Sequence, residues 1–337
     1  VRGLFKDQPW LSTIFAALLA AVAVILIAHA TGADAIGRAF EDVDPGWIAL
    51  VAGAQLITYP AYALAYRAVA AIHGHAPLSL PIVSRIVVAG FGPFALDGGF
   101  GVDKRMLQAI DEDERSARVR VMTLGTLEWA ILAPTACITA IVLLAERANI
   151  MPSLLWPWAL TVPPSVALAL WASKPRRSRW IAEHSGPRVD LLVQMLEGID
   201  GVRCMVTQDP LRKLGAWLGI MIYWAADMAA LWGALRTFGM DLSVGKLIIA
   251  YSTGYAATRR SLPLGGAGAT EALMTFALYW VREPLAPALA AVMLYRLFNF
   301  LLIAAPAIIA HRQLPRLISR AAAASKRPTR RSTRPPS

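Results

Sequence analysis

Residues 121–145 read VMTLGTLEWAILAPTACITAIVLLA, with a single charge, Glu128. A hydrocarbon core about 30 Å thick is crossed by about 20 apolar helical residues, so this run is a membrane span. Five more runs read the same way outward from it: 11–31, 47–67, 154–172, 214–236 and 286–310. The composition agrees, with 57% hydrophobic and 16% charged residues, where a soluble domain carries about 45–50% and about 25%. A soluble enzyme, a secreted disulfide scaffold and a disordered chain are therefore excluded. The alternating ten-residue strands of a membrane β-barrel do not occur. The fold class is all-α, a polytopic membrane helix bundle.

Two further apolar stretches break in their middles. Gly90, Gly92, Pro93, Gly98, Gly99 and Gly101 crowd residues 80–101, and Arg259, Arg260, Pro263, Gly265, Gly266 and Gly268 crowd residues 244–282. Each reads as a re-entrant pair of half-helices rather than a crossing. Leu96-Asp97-Gly98-Gly99-Phe100-Gly101 aligns with Pro263-Leu264-Gly265-Gly266-Ala267-Gly268 at an offset of 167 residues, close to half the chain. The spans before and after each stretch fall in corresponding places. Six spans plus two Gly-rich hairpins then form an inverted repeat, a transporter design whose broken helices meet near the midplane.

Orientation follows from basic residues, which collect on the cytoplasmic side. With both termini inside, the inside segments hold 24 Lys and Arg and the outside loops four, Arg38, Arg147, Lys246 and Arg282. The expected location is the cell (inner or plasma) membrane, multi-pass, N-in and C-in. The run from Thr13 to Thr31 exceeds the roughly 7–15 apolar residues of a signal peptide, so it reads as a retained helix. The expected organisation is a first membrane repeat with its N-terminal helix at 1–172, a cytoplasmic loop at 173–213, a second membrane repeat at 214–311 and a disordered basic tail at 312–337. The tail holds eight basic residues and no acid. Anionic lipid is its expected partner, at roughly 1 kcal/mol per basic residue near the surface. Nucleic acid is not, because no aromatic residue interleaves with the charges.

Charge within an apolar run marks function in a membrane protein, because burying it there is costly. Arg85, Asp97, Glu128, Asp227, Arg259, Arg260, Glu271 and Arg296 qualify. Glu271 lies three residues past Gly268, and Arg296 and Asn299 sit one turn apart on the last span. Half-helix N-termini offer free N–H groups and a positive dipole end to an anion. The expected lipid-binding and translocation set is Asp97, Gly98, Gly99, Gly101, Glu128, Arg259, Arg260, Gly265, Gly266, Gly268, Glu271, Arg296 and Asn299. Mutual pairing that locks the bundle competes with function at each charge, and close helix packing competes at each glycine.

Catalytic signals are poor. Asp111-Glu112-Asp113 fits the Asp-x-Asp pattern by which some sugar-nucleotide transferases hold a metal, but it sits in a loop of mixed charge. Cys137 and Cys204 form no CxxC, and neither a Walker motif nor a dinucleotide fingerprint occurs. No cofactor, no metal and no enzymatic activity are expected.

Leu262-Pro263-Leu264-Gly265-Gly266-Ala267-Gly268 with Glu271, then Tyr295-Arg296-Leu297, resembles the lysylphosphatidylglycerol synthase transmembrane region, a flippase-like family. Gly98-Gly99-Phe100-Gly101 with Arg105 is similar to that family's first Gly-rich hairpin, and Glu128 to its acidic position in the next span. Leu264 stands where the family usually has Pro, Leu96-Asp97 replaces a Pro-containing approach, and Trp129 stands where Arg often follows the Glu. The resemblance covers about 10–310. It implies translocation or handling of a polar-headgroup lipid, a phospholipid or a polyprenol-linked one, with a membrane or cytoplasmic enzyme as a possible partner. After residue 311 only the basic tail follows, so aminoacyl transfer is not expected. The alternatives are a membrane-embedded transferase acting on a lipid-linked sugar through Asp111 or Asp113 and Glu271, and a non-catalytic scaffold for a lipid-modifying enzyme.

Overall fold

The computed structural model describes residues 14, 18, 21–22, 25–26, 28–29, 32–41, 43–72, 78–91, 99–111, 113–174, 177, 180–181, 190–207, 210–254 and 266–325. These residues form helices and no strand. In chain order the helices are α1 (Ala33–Ala39), α2 (Gly46–Ala70), α3 (Leu80–Phe91), α4 (Gly99–Asp111), α5 (Glu114–Ala145), α6 (Pro152–Ala172), α7 (Asp190–Thr207), α8 (Pro210–Thr237), α9 (Val244–Gly254), α10 (Ala269–Trp280) and α11 (Leu285–Ser325). Five segments are long and apolar enough to cross a membrane: α2, α5, α6, Leu214–Thr237 of α8 and Leu285–Ala310 of α11. Each overlaps an expected span. The sixth, 11–31, falls largely outside the described residues.

Helices α2 and α8 make the most extensive contact and run antiparallel. Gly219 lies against Ala61 and Ala65, and fourteen residues later Gly233 lies against Leu50 and Val51. A Cβ on Gly219 would stand 2.6 Å from the Ala61 carbonyl oxygen, so the backbones touch there. Gly219 faces Ala61 and Ala65 on the other helix, and Gly215, four residues before it, lies against Leu64. Small residues four apart let membrane helices approach this closely.

Each broken stretch contains two short helices packed together, α3 with α4 and α9 with α10. Twelve residues of helix extend about 18 Å, well short of about 30 Å of hydrocarbon. The pairs approach from opposite ends of α5. Lys104 of α4 bonds Glu114 at the first residue of α5, at 2.7 Å. Gly245 of α9 packs on Leu143 near the last, and the Trp280 carbonyl closing α10 accepts the Met151 N–H just beyond it. Helices α4 and α9 pack on α5, and α3, α4 and α10 pack on α11. Gly254 of α9 crosses the backbone of α10 closely, its Cβ position falling 2.4 Å from Met274 Cα.

Two regions differ from the expectation read off hydropathy. The segment 173–213 contains α7, which docks on α5 through Gly198 and Gly201, where a Cβ would meet the Met122 backbone and the Thr123 hydroxyl at 2.9 and 2.2 Å. Its apolar residues alternate with Glu197, Asp200 and Arg203 at helical spacing, a pattern that averaging over a span-sized window erases. The last helix continues to Ser325, past the boundary set at 311. Residues 312–325 are rich in Ala, Leu and Arg, strong helix formers.

Arg120 of α5 is buried. Its Nη1 donates to the Ala70 carbonyl at 3.2 Å, placing positive charge at the C-terminal end of α2, where the helix dipole favours it. Span α6 buries only Leu154 and Leu155 and presents Trp156, Leu160, Leu168 and Leu170 outward. That is the expected profile of a helix facing lipid chains.

Candidate functional site

Buried polar residues concentrate where α2, α5, α8, α9, α10 and α11 meet, in three linked groups. The first is an ion pair. Arg296 Nε donates to Glu271 Oε1 at 2.7 Å, with side chains 2% and 1% exposed. The other carboxylate oxygen of Glu271, Oε2, accepts the Gly268 backbone N–H at 2.6 Å. Glu271 stands at the third position of α10, where a glutamate reaches back to the helix start. One carboxylate therefore caps α10 and ties it to α11. The Arg296 guanidinium also lies 4.4 Å over the Phe300 ring. Gly266 and Gly268 turn the chain into α10 at φ values of 71° and 83°, a region glycine occupies without steric cost.

The second group centres on Asp227, which is fully buried. Its Oδ1 accepts Gln55 Nε2 at 2.8 Å, and its Oδ2 accepts the hydroxyls of Tyr251 at 2.5 Å and Tyr295 at 2.9 Å. Asn299 Nδ2 donates to Gln55 Oε1 at 3.2 Å, and the Tyr59 hydroxyl donates to the Asn299 carbonyl at 3.2 Å. Four helices, α2, α8, α9 and α11, meet on these residues.

The third group holds Glu128. Its carboxylate accepts the Tyr62 hydroxyl, and its backbone carbonyl accepts Trp224 Nε1 at 3.2 Å. Tyr62 packs edge-on against Tyr223 with centroids 5.1 Å apart, Tyr223 lies 4.7 Å from Trp224, and Trp224 lies 5.8 Å from Tyr251. An aromatic chain thus links Glu128 to the Asp227 group.

The structure brings Glu271 and Arg296 into direct contact. Arg296 and Asn299 lie on one side of α11, and Asn299 engages Gln55 and Tyr59 of α2. Glu128 is held by α2 and α8. Gly99 is buried at the start of α4 and Gly101 lies in its first turn. Arg85 faces outward. Asp97, Gly98, Arg259, Arg260 and Gly265 lie outside the described residues. Asp113 is exposed and caps α5, accepting the N–H groups of Arg115 and Ser116 at 3.1 and 3.2 Å. That N-cap role accounts for half of the Asp-x-Asp match.

Sequence reasoning missed Gln55, Tyr62 and Tyr251. Neutral polar residues in an apolar run carry no charge signal, although a glutamine mid-span is itself a detectable anomaly. In these groups buried carboxylates accept hydrogen bonds from tyrosine, glutamine, backbone and guanidinium donors.

One family model matches the chain, that of the Lysylphosphatidylglycerol synthase TM region, over residues 13–307. Comparison with curated proteins gives no match.

Proposed function

The chain belongs to the lysylphosphatidylglycerol synthase transmembrane-region family, and on that premise we propose that it is a flippase-like membrane protein that translocates or handles a polar-headgroup lipid, a phospholipid or a polyprenol-linked one. The observation that carries the reading is the Glu271–Arg296 pair, buried beside a Gly-rich turn where a short helix begins. Membrane proteins place broken helices and charge together at substrate paths. In this reading the two short-helix pairs are re-entrant hairpins, and the two Gly-rich turns meet near the midplane. Asp97, Gly98, Gly99, Gly101, Arg259, Arg260, Gly265, Gly266 and Gly268 approach the headgroup, the arginines taking phosphate and Glu128 or Glu271 any amine.

An inverted repeat is part of the proposal. The antiparallel course of α2 and α8 supports it, as does the approach of the short-helix pairs from opposite ends of α5. Side chains add a third support. In the first half a tyrosine on α2, Tyr62, bonds a carboxylate on α5, Glu128. In the second half a carboxylate on α8, Asp227, bonds a tyrosine on α11, Tyr295. Tyr62 and Asp227 are 165 residues apart, and Glu128 and Tyr295 are 167 apart. The same bond joins the corresponding helices with donor and acceptor exchanged. The protein sits in the cell membrane with both termini inside, has no catalytic step of its own, and acts on membrane lipids alone or beside an enzyme partner.

The test is the full chain in liposomes carrying fluorescent phosphatidylglycerol or phosphatidylethanolamine, with leaflet exchange read by quenching. Protein-dependent exchange is expected. No exchange with any headgroup, from folded protein, rejects a translocating role. A scaffold is the second reading, favoured by one observation: both oxygens of Glu271 are already engaged by Arg296 and Gly268. If Glu271→Gln stays folded and loses exchange, Glu271 is a site residue; if it unfolds the protein and Arg296→Gln in the same background restores it, the pair is structural.

A further inference from the structure

We propose that Arg147 and Arg282 bind the phosphate of an anionic lipid headgroup at one rim of the bundle. Arg147 follows α5 and Arg282 follows α10, and both hold positive φ, 52° and 74°. Among the described residues they are the only non-glycine residues that do. Each occupies the left-handed position that closes a helix, where glycine is usual. After α5, the Arg147 N–H donates to the Leu144 carbonyl and the Ala148 N–H to the Leu143 carbonyl, at 3.2 and 3.0 Å. After α10, the Arg282 N–H donates to the Tyr279 carbonyl and the Glu283 N–H to the Leu278 carbonyl, at 3.0 and 3.1 Å. Helix α8 ends on the same motif, with the Gly239 and Met240 N–H groups on the Arg236 and Leu235 carbonyls. There the left-handed residue is a glycine, at φ 71°. Strained positions persist where the surroundings over-determine them, and they collect at ligand clamps.

The two arginine turns share one corner. The Met151 N–H, four residues past Arg147, donates to the Trp280 carbonyl, two residues before Arg282, at 3.1 Å. Gly245 of α9 packs on Leu143, one turn before Arg147. The next residue, Lys246, pairs with Glu283 at 3.5 Å, which occupies the acid beside Arg282. The other acid of these turns, Glu146, is exposed at the C-cap of α5. The corner thus carries three cations against two carboxylates. Both arginines are exposed, and among the described residues neither guanidinium has a hydrogen-bond or ion-pair partner.

Depth and charge fix the ligand. Trp156, Tyr279 and Trp280 present exposed aromatic surface beside the corner, and Trp and Tyr mark the headgroup level of a membrane. The expected orientation puts this rim outside, where basic residues are few. Three of the four outside Lys and Arg are Arg147, Lys246 and Arg282. Guanidinium and phosphate pair through parallel N–H···O bonds about twice as strong as neutral ones. A zwitterionic headgroup gains less, because its own cation meets the arginines. The corner lies at the far end of α10 from Gly266 and Gly268, about 18 Å along the helix. It is therefore a second lipid position, and it rests on the lipid-handling reading only for what becomes of the lipid held there.

The test is photo-cross-linking of the full chain in phosphatidylcholine vesicles doped with phosphatidylglycerol that carries a diazirine in its acyl chain next to the glycerol. Labelled peptides are identified by mass spectrometry, which separates this corner from the basic tail. Labelling is expected within 146–156 and 279–284. Arg147→Gly with Arg282→Gly should reduce it about ten-fold, the weight of one hydrogen bond to a charged group, and leave the protein folded, since glycine takes the left-handed region freely. Parent protein unlabelled at these turns overturns the proposal, as does equal labelling in the folded glycine variant. Loss of labelling on adding inorganic phosphate reveals a site for the free ion and overturns the lipid assignment. If the glycine variant does not fold, Arg147→Asn with Arg282→Asn replaces it and is read the same way, asparagine being the other residue found at this position. Cross-linking needs no lipid movement, so its failure leaves the lipid-handling reading standing, and failure of the leaflet-exchange assay leaves this site standing.

Discussion

At the scale of single residues, the Glu271–Arg296 pair sets a sharp expectation. Removing one partner of a buried ion pair leaves an uncompensated charge and costs about 3–5 kcal/mol, whereas replacing both with neutral residues is far milder. Glu271→Gln should therefore lower the unfolding temperature in detergent strongly, and Glu271→Gln with Arg296→Gln should recover much of the loss. Equal unfolding temperatures for the single variant and the parent would show that the pair contributes nothing to stability. Tyr62→Phe should act more gently. It strips one hydrogen bond from the buried Glu128 carboxylate, a bond to a charged group worth about 1.5–3 kcal/mol, and calorimetry of the reconstituted protein would measure it. Glu128, Asp227, Glu271 and Arg296 were legible in the sequence, because a charge inside an apolar run announces itself. Their partners were not. Gln55 and Asp227 lie 172 residues apart, and nothing local to either names the other. Glu271 read as a ligand-facing carboxylate, yet it also closes the first turn of its own helix, a role visible in its spacing from Gly268.

At the scale of elements, two glycines on the paired spans should behave oppositely. Gly219→Ala places a methyl 2.6 Å from a carbonyl oxygen of α2 and should cost about 1–3 kcal/mol by overpacking. Gly53→Ala meets nothing within 4 Å and should stabilise α2 by up to about 1 kcal/mol, since alanine is the better helix former. Thermal unfolding of the two variants checks both signs at once, and a shift of the same sign in both would mean that the α2–α8 approach is not backbone-limited. Helix existence was legible at the five spans among the described residues, where hydropathy ran for about twenty residues. Helix α7 was not, because a half-apolar helix with acids on its other face looks like loop to a window that averages. The continuation of α11 beyond residue 311 escaped for a related reason. Its arginines read as a tail, although arginine and alanine are both good helix residues.

For the whole molecule, the expected orientation puts residue 190 inside and residues 32–46 outside. Single cysteines placed at these sites, after replacement of Cys137 and Cys204, should label accordingly with a membrane-impermeant reagent. External labelling at 190 would invert the arrangement. Ending the chain after Ser325 removes Lys326, Arg327, Arg330, Arg331 and Arg334. At roughly 1 kcal/mol per basic residue near an anionic surface, the shortened protein should lose its preference for phosphatidylglycerol-rich vesicles at low salt and keep its unfolding temperature. A fall in unfolding temperature would place those residues in the fold instead.

The tight seam between α2 and α8 has a consequence for biogenesis. Ala65 and Gly219 are separated by 154 residues of chain. At roughly 5–20 residues per second of synthesis, α2 waits roughly 8–30 seconds for its partner. Through that interval its Ala61 and Ala65 face has no glycine helix to close on, and Gln55 has no aspartate. A span in that state is a ready substrate for an intramembrane chaperone or protease. Variants that loosen the seam should therefore be cleared chiefly while the ribosome is still attached, and pulse-labelled Gly219→Ala should be lost in the first minutes and then persist.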